Sequence, residues 1–223
     1  MKNTKKILLP LLLAVTLLFG GCGKKFDPGN YVKALLDNSY KNDSTAFVEQ
    51  EVGTKEQAEE LYNEGIKNEV DAMLSQTSVS DGLAEEYTSL MKDIFKSVKY
   101  TIGESKKQDD GSYEVEVTYE KMNIFAPAVE IYMDNLNTYT EEIAAATEDT
   151  TEIPSEEEIN EKIFTILKDA LKQSLDNVTY EGEATITMHV ELNGNMYSVN
   201  EEDLKNMEMA LFDIDAFNDA LSQ

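Results

Sequence analysis

Leu90-Met91-Lys92-Asp93-Ile94-Phe95-Lys96-Ser97-Val98-Lys99-Tyr100-Thr101-Ile102 is where the chain changes period. Up to Phe95 the apolar residues recur three and four apart, from Leu83 through Tyr87, Leu90, Met91 and Ile94, as on one face of a helix. From Val98 they alternate, through Tyr100 and Ile102, as in a strand with one face buried. A helix passing directly into a strand separates this chain from one built only of helices. The alternation resumes at Tyr113, Val115, Val117 and Tyr119, with Glu114, Glu116, Thr118 and Glu120 between them, and Lys106–Gly111 is the expected hairpin loop.

The same change of period occurs 80 residues later, at Leu171-Lys172…Leu175…Val178…Tyr180. Alternation then runs through Ala184, Ile186, Met188, Val190 and Leu192 to Asn193-Gly194, the residues of a tight hairpin, expected as type I′. Met196–Val199 is the returning strand. Gly111-x-Tyr-x-Val-x-Val and Gly182-x-Ala-x-Ile-x-Met repeat the pattern. The expected fold class is therefore α+β, with helices packed on a curved antiparallel sheet and a helix-helix-hairpin unit that reads as a possible duplication. The halves fall at 28–125 and 126–223 and are expected to share one domain.

The remaining helices announce their starts. Asp27 caps a helix with Pro28 in its first turn and Tyr31, Ala34, Leu35 and Tyr40 facing inward. Thr54 and Gln57 have capping-box spacing ahead of Ala58, Leu61, Tyr62, Ile66, Val70, Met73 and Leu74. Asp81-Gly82 reads as a break before the third helix, and Pro127 as the start of a fourth. Thr147–Pro154 is an acidic linker, and Ser155 with Glu158 forms a second capping box before Ile159, Ile163, Ile166, Leu167, Ala170 and Leu171. Asn200 caps a closing helix whose first turn holds Glu201, Glu202 and Asp203, where the helix dipole favours acids.

Outward from this body, the chain's start is a different kind of segment. Lys2, Lys5 and Lys6 precede a 13-residue apolar run, Ile7–Phe19, ending in Gly20-Gly21-Cys22. A basic start, a short apolar stretch and small residues before a cleavage point make a signal peptide over residues 1–21. The run is shorter than the roughly 20 residues of a spanning helix. Leu18-Phe19-Gly20-Gly21-Cys22 resembles the lipobox of bacterial lipoproteins, with Phe19 standing where leucine is usual. The resemblance implies a diacylglyceryl group on Cys22, a membrane-held extracytoplasmic protein and a tether over residues 22–27.

Charge agrees with that address. The 223 residues carry 44 acids and 19 lysines, with no arginine, for a net −25. Without residues 1–21 there remain 16 lysines against 44 acids, a net −28. Such a chain is repelled by anionic headgroups, so membrane attachment requires acyl chains. It also lacks the basic surface of a nucleic-acid binder. One cysteine excludes a disulfide framework and a cysteine zinc site.

At the level of organisation the mature chain resembles uncharacterised lipoproteins of low-GC Gram-positive bacteria with a cystatin-like or nuclear-transport-factor-two-like domain. That resemblance implies a half-barrel-like α+β fold and no assigned activity.

No catalytic motif is present. His189, the sole histidine, lies by alternation on the polar strand face with Thr185, Thr187 and Glu191. Asp213-x-Asp215 with Asp219, and Asp109-Asp110-Gly111, lack the spacing of an EF-hand loop, so no metal or cofactor is expected. Tyr100, Tyr113 and Tyr119 are the candidate ligand-binding residues, on the concave face of the curved sheet. The expected role is a non-enzymatic binding or interaction module for an unknown protein or small molecule. A carboxylate-dependent hydrolase of envelope material and a surface spacer or antigen are the alternatives.

Overall fold

The computed structural model describes Leu17–Leu18, residues 26–74, 77–149 and 154–212. It is an α+β structure. In chain order the elements are β1 (Leu17–Leu18), α1 (Pro28–Lys41), α2 (Thr45–Glu49), α3 (Lys55–Leu74), α4 (Asp81–Lys96), β2 (Lys99–Lys107), β3 (Tyr113–Asn123), α5 (Phe125–Asp149), α6 (Glu156–Asp176), β4 (Thr179–Asn193), β5 (Met196–Val199) and α7 (Glu201–Leu211). The sheet order is β1-β5-β4-β3-β2, antiparallel throughout. Strands β2 to β5 thus form a meander, with the α5–α6 hairpin inserted between β3 and β4.

Both helix-to-strand junctions are built alike. Val98 N–H donates to the Phe95 carbonyl at 3.1 Å, and Val178 N–H to the Leu175 carbonyl at 3.1 Å. In each case two residues, Ser97-Val98 and Asn177-Val178, join the helix to its strand. Irregularities between Ile102 and Ser105 and between Glu120 and Met122 mark bulges, which bend strands and sharpen their twist.

The inner face of the sheet is closed by α1 and α7. Val115, Val117, Met188 and Val190 are buried beneath them. Helix α1 is the centre of the core, with nine residues buried, Tyr31, Val32, Leu35 and Leu36 among them. It can be apolar on most of its circumference because the sheet lies on one side and α2, α3 and α4 on the others. At its C-terminal end Tyr40, Phe95, Phe125 and Phe212 interlock, with Phe95 stacked on Phe212 at 5.7 Å.

Several sequence expectations shift. Asp81-Gly82 does not break the chain but opens α4. Ser80 is the N-cap, and its hydroxyl accepts from Leu83 N–H, which satisfies an end donor and lets the glycine sit in the first turn. Helix α5 begins at Phe125, two residues before Pro127, because Ile124 and Phe125 are already anchored in the core. It continues to Asp149, through the start of the expected linker, whose residues 150–153 lie outside the described residues. The β4–β5 turn is type II′ rather than I′. Gly194 has φ +67° and Asn195 has no positive φ, so only the first central position needs a glycine. The Ser155–Glu158 capping box forms as read, with both reciprocal bonds present.

Candidate binding groove

Helix α1 meets solvent along one narrow stripe. Asn30, Lys33 and Lys41 are exposed, and Asp37, on the same stripe, is buried. Spacing of three and four residues puts these side chains above one another. Facing the stripe is the inner margin of β2: Tyr100, Thr101, Ile102, Gly103 and Ser105. Between them lies an open groove of about 490 Å³, closed at one end by Asp27 and Gly29.

Asp37 organises its floor. The Tyr100 hydroxyl donates to Asp37 Oδ1 at 2.6 Å, the Lys33 ammonium bonds to Oδ2, and Lys41 Nζ lies 3.6 Å from Oδ1. Lys41 also sits 4.1 Å above the Tyr100 ring. Burial, and then the hydrogen bond and charge of Asp37, push the Tyr100 hydroxyl far above its ordinary range, so it remains a proton donor. The groove thus presents two ammonium groups whose N–H donors are only partly used, two hydroxyl side chains, and an apolar patch of Ile102 and the tyrosine ring. It suits a small ligand with acceptor groups. Among the described residues it has no histidine in its lining, and the carboxylates of Asp27 and Asp37 are already paired.

Of the three candidate tyrosines, Tyr100 lines this groove. Tyr119 is its neighbour across β2–β3 and packs against the core beside Ala184. Tyr113 lies at the other end of the sheet, 5.6 Å from Phe26 and 5.8 Å from Tyr197. The structure therefore does not bring the three together. Cys22 and Asp213–Asp219 lie outside the described residues.

His189 is exposed, as its strand position predicts. Asp203 Oδ2 accepts from its backbone N–H at 2.7 Å and contacts its Nδ1 at 2.8 Å. With Asn200 N–H donating to the His189 carbonyl at 2.8 Å, these bonds fasten α7 to β4. A second open groove of about 590 Å³ runs between α4 and α6, lined by Glu85, Glu86, Asp93, Lys168 and Lys172. Lys168 spans it to Glu86, which raises its pKa, and Glu161 takes both Ser80 N–H at 2.8 Å and the Ser80 hydroxyl at 2.5 Å. These contacts clamp the two helices.

Sequence reasoning did not single out Glu69 and Glu208. They are 3% and 4% exposed, on α3 and α7. Burial, and then repulsion by Glu208, raises Glu69 to about 9, and burial raises Glu208 to about 8. Both add to the rise of the buried Tyr40 hydroxyl, and among the described residues neither that hydroxyl nor Glu69 Oε2 has a hydrogen-bond partner. A signal existed: Glu69 follows Tyr62 and Ile66, and Glu208 follows Leu204, at the spacing of the apolar stripes. Neither residue lines either groove.

The sequence matches no protein-family model and no curated protein. One solved structure that it is similar to is a presumed lipoprotein, ycdA, from Bacillus subtilis, at 16% identity and a TM-score of 0.49. The match covers 91% of this chain and 66% of that one, so this chain spans just under two thirds of that protein.

Proposed function

We propose that the protein is an extracytoplasmic lipoprotein of a Gram-positive bacterium, held in the membrane by a diacylglyceryl group on Cys22, and that it works as a non-enzymatic binding module through the α1–β2 groove. The observation that carries this is the succession Leu18-Phe19-Gly20-Gly21-Cys22, followed after three residues by Phe26 and the Asp27 cap of α1. A leader that ends at the chain's sole cysteine, directly before a folded body, is the arrangement a lipid-anchored domain requires. With a net −28 beyond the leader, acyl chains are the means of attachment that charge does not oppose.

The hydrolase alternative needs two acids converging in an open cleft, one with a raised pKa. Among the described residues, the two carboxyls with raised pKa values are buried and line neither groove, and this favours the binding reading.

Metabolic labelling with an alkyne fatty acid tests the anchor. Label on the wild type, absent from Cys22→Ser with release of that variant to the medium, is the expected outcome. An unlabelled wild type ends the lipoprotein reading. For the groove, chemical-shift changes on titration with small carboxylic and amino acids should centre on Lys33, Lys41 and Tyr100.

A further inference from the structure

We infer that the end of the sheet carrying the β2–β3 loop and the β4–β5 turn is a membrane-apposed surface, and that its partner is the lipid headgroup layer. This rests on the lipid anchor at Cys22. Only residues 23–25 separate that cysteine from Phe26, a reach of about 14 Å at full extension over four Cα–Cα steps. Wherever Phe26 sits must therefore lie close to the bilayer.

Phe26 is fixed firmly in the fold. Its ring stacks on Tyr197 at 3.9 Å with planes 4° apart, and meets Tyr31 and Tyr113 at 5.6 Å each. Tyr197 follows the Asn193–Met196 turn, and Tyr113 follows the β2–β3 loop, where Lys107 Nζ lies 5.8 Å from its ring. Gly111 of that loop approaches Leu192, so the two hairpin ends are side by side.

Charge favours the same orientation. The β2–β3 hairpin end is close to neutral, with exposed Lys106 and Lys107 against Glu104, Asp109 and Asp110. The α5–α6 hairpin departs from the opposite end of the sheet, at Asn123 and Thr179, and residues 125–176 hold 13 acids against 3 lysines. Anionic headgroups repel the acidic end and tolerate the near-neutral one. Tyr113, with Lys107 beside its ring, also suits the headgroup level.

The chain has no tryptophan, so single-tryptophan reporters are clean. Asn195→Trp and Lys107→Trp mark the two hairpin ends. Glu183→Trp, exposed on β4 ten residues from Asn193, stands about 33 Å further along the strand. Each variant is placed on phosphatidylcholine–phosphatidylglycerol vesicles containing a headgroup-level spin-labelled lipid. One preparation is purified from native membranes. The other begins at Cys22 and is coupled to a maleimide lipid. With so short a reach, roughly half of the emission of both hairpin reporters should be lost while Glu183→Trp is unaffected. Equal quenching at all three sites, or none at either hairpin, overturns the orientation. Native protein that fails to bind vesicles, beside coupled protein that shows the expected pattern, overturns the anchor and leaves the surface standing.

Discussion

Two buried carboxyl environments lie within the reach of one helix. Asp37 and the Glu69–Glu208 pair are equally hidden, at 4%, 3% and 4% exposure. Asp37 borders a groove, so two lysines reach it with their ammonium groups still in water, and Tyr100 gives it a hydrogen bond. Among the described residues, Glu69 and Glu208 face no cation, only each other and the unpartnered hydroxyl of Tyr40. Burial alone therefore does not decide what a carboxyl does. Access to a charge at the rim does. The first environment favours a charged network, and the second favours holding its protons.

The comparison breaks most visibly at Asp37. Asp37→Ala leaves the Tyr100 hydroxyl and two ammonium groups without their acceptor, and should cost about 3 kcal/mol in urea unfolding. A loss below about 1 kcal/mol would show the network to be ornamental.

Glu208→Gln should act in the opposite direction, and only above acidic pH. The folded-state pKa values, about 8 for Glu208 and about 9 for Glu69, lie above the ordinary value of 4.5. The stabilising contribution of the bound protons is complete below pH 4.5 and is lost as pH rises towards 8 and 9. Wild-type stability should fall across that window. Glu208→Gln, which cannot ionise, should lose less and exceed the wild type by on the order of 2 kcal/mol at pH 8, with no advantage at pH 4.5. Parallel pH profiles for the two proteins would refute the proton-held pair.

The same substitution in the two environments sharpens the contrast. Tyr100→Phe removes a bond to Asp37 and should cost about 1 kcal/mol, whereas Tyr40→Phe removes an unpaired hydroxyl and should be neutral or stabilising by up to about 1 kcal/mol. Thermal melts of the pair suffice. Equal losses would mean that Tyr40 has a partner. The smallest effect belongs to the rim: Lys41→Met should cost about 0.5 kcal/mol, and the difference should shrink in high salt.

Much of the fold was legible because its signals are local. The caps at Asp27, Ser155 and Asn200 need only a side-chain oxygen and a nearby N–H, and all three form as the sequence implies. The strands from Tyr113 and Ala184 declare themselves by alternation. Less was legible at Asp81-Gly82, where the cap one residue earlier outweighs the glycine, and at the β4–β5 turn, where composition suits either primed type. The groove was half visible. Tyr100 stood out as an aromatic on an inward strand position, but Asp37 was one of 44 acids, and its partner lies 63 residues away. Glu69 and Glu208 carried a signal in their stripe positions, masked by the general abundance of acids.

The contact of α1 with β5 has a kinetic consequence. The Tyr31 hydroxyl donates to the Tyr197 carbonyl across 166 residues of chain, and Phe26 stacks on the same tyrosine. Synthesis proceeds from the N-terminus, so the most deeply buried helix of the domain is made early and one of its covers is made almost last. Closing so long a loop is entropically costly before its contacts repay it, which slows folding. In the interval Val32, Leu35 and Leu36 lack their final covering and offer a target for chaperones, proteases or a second nascent copy. Folding of this chain is thus a race between closing the C-terminal hairpin and losing the N-terminal helix to another partner.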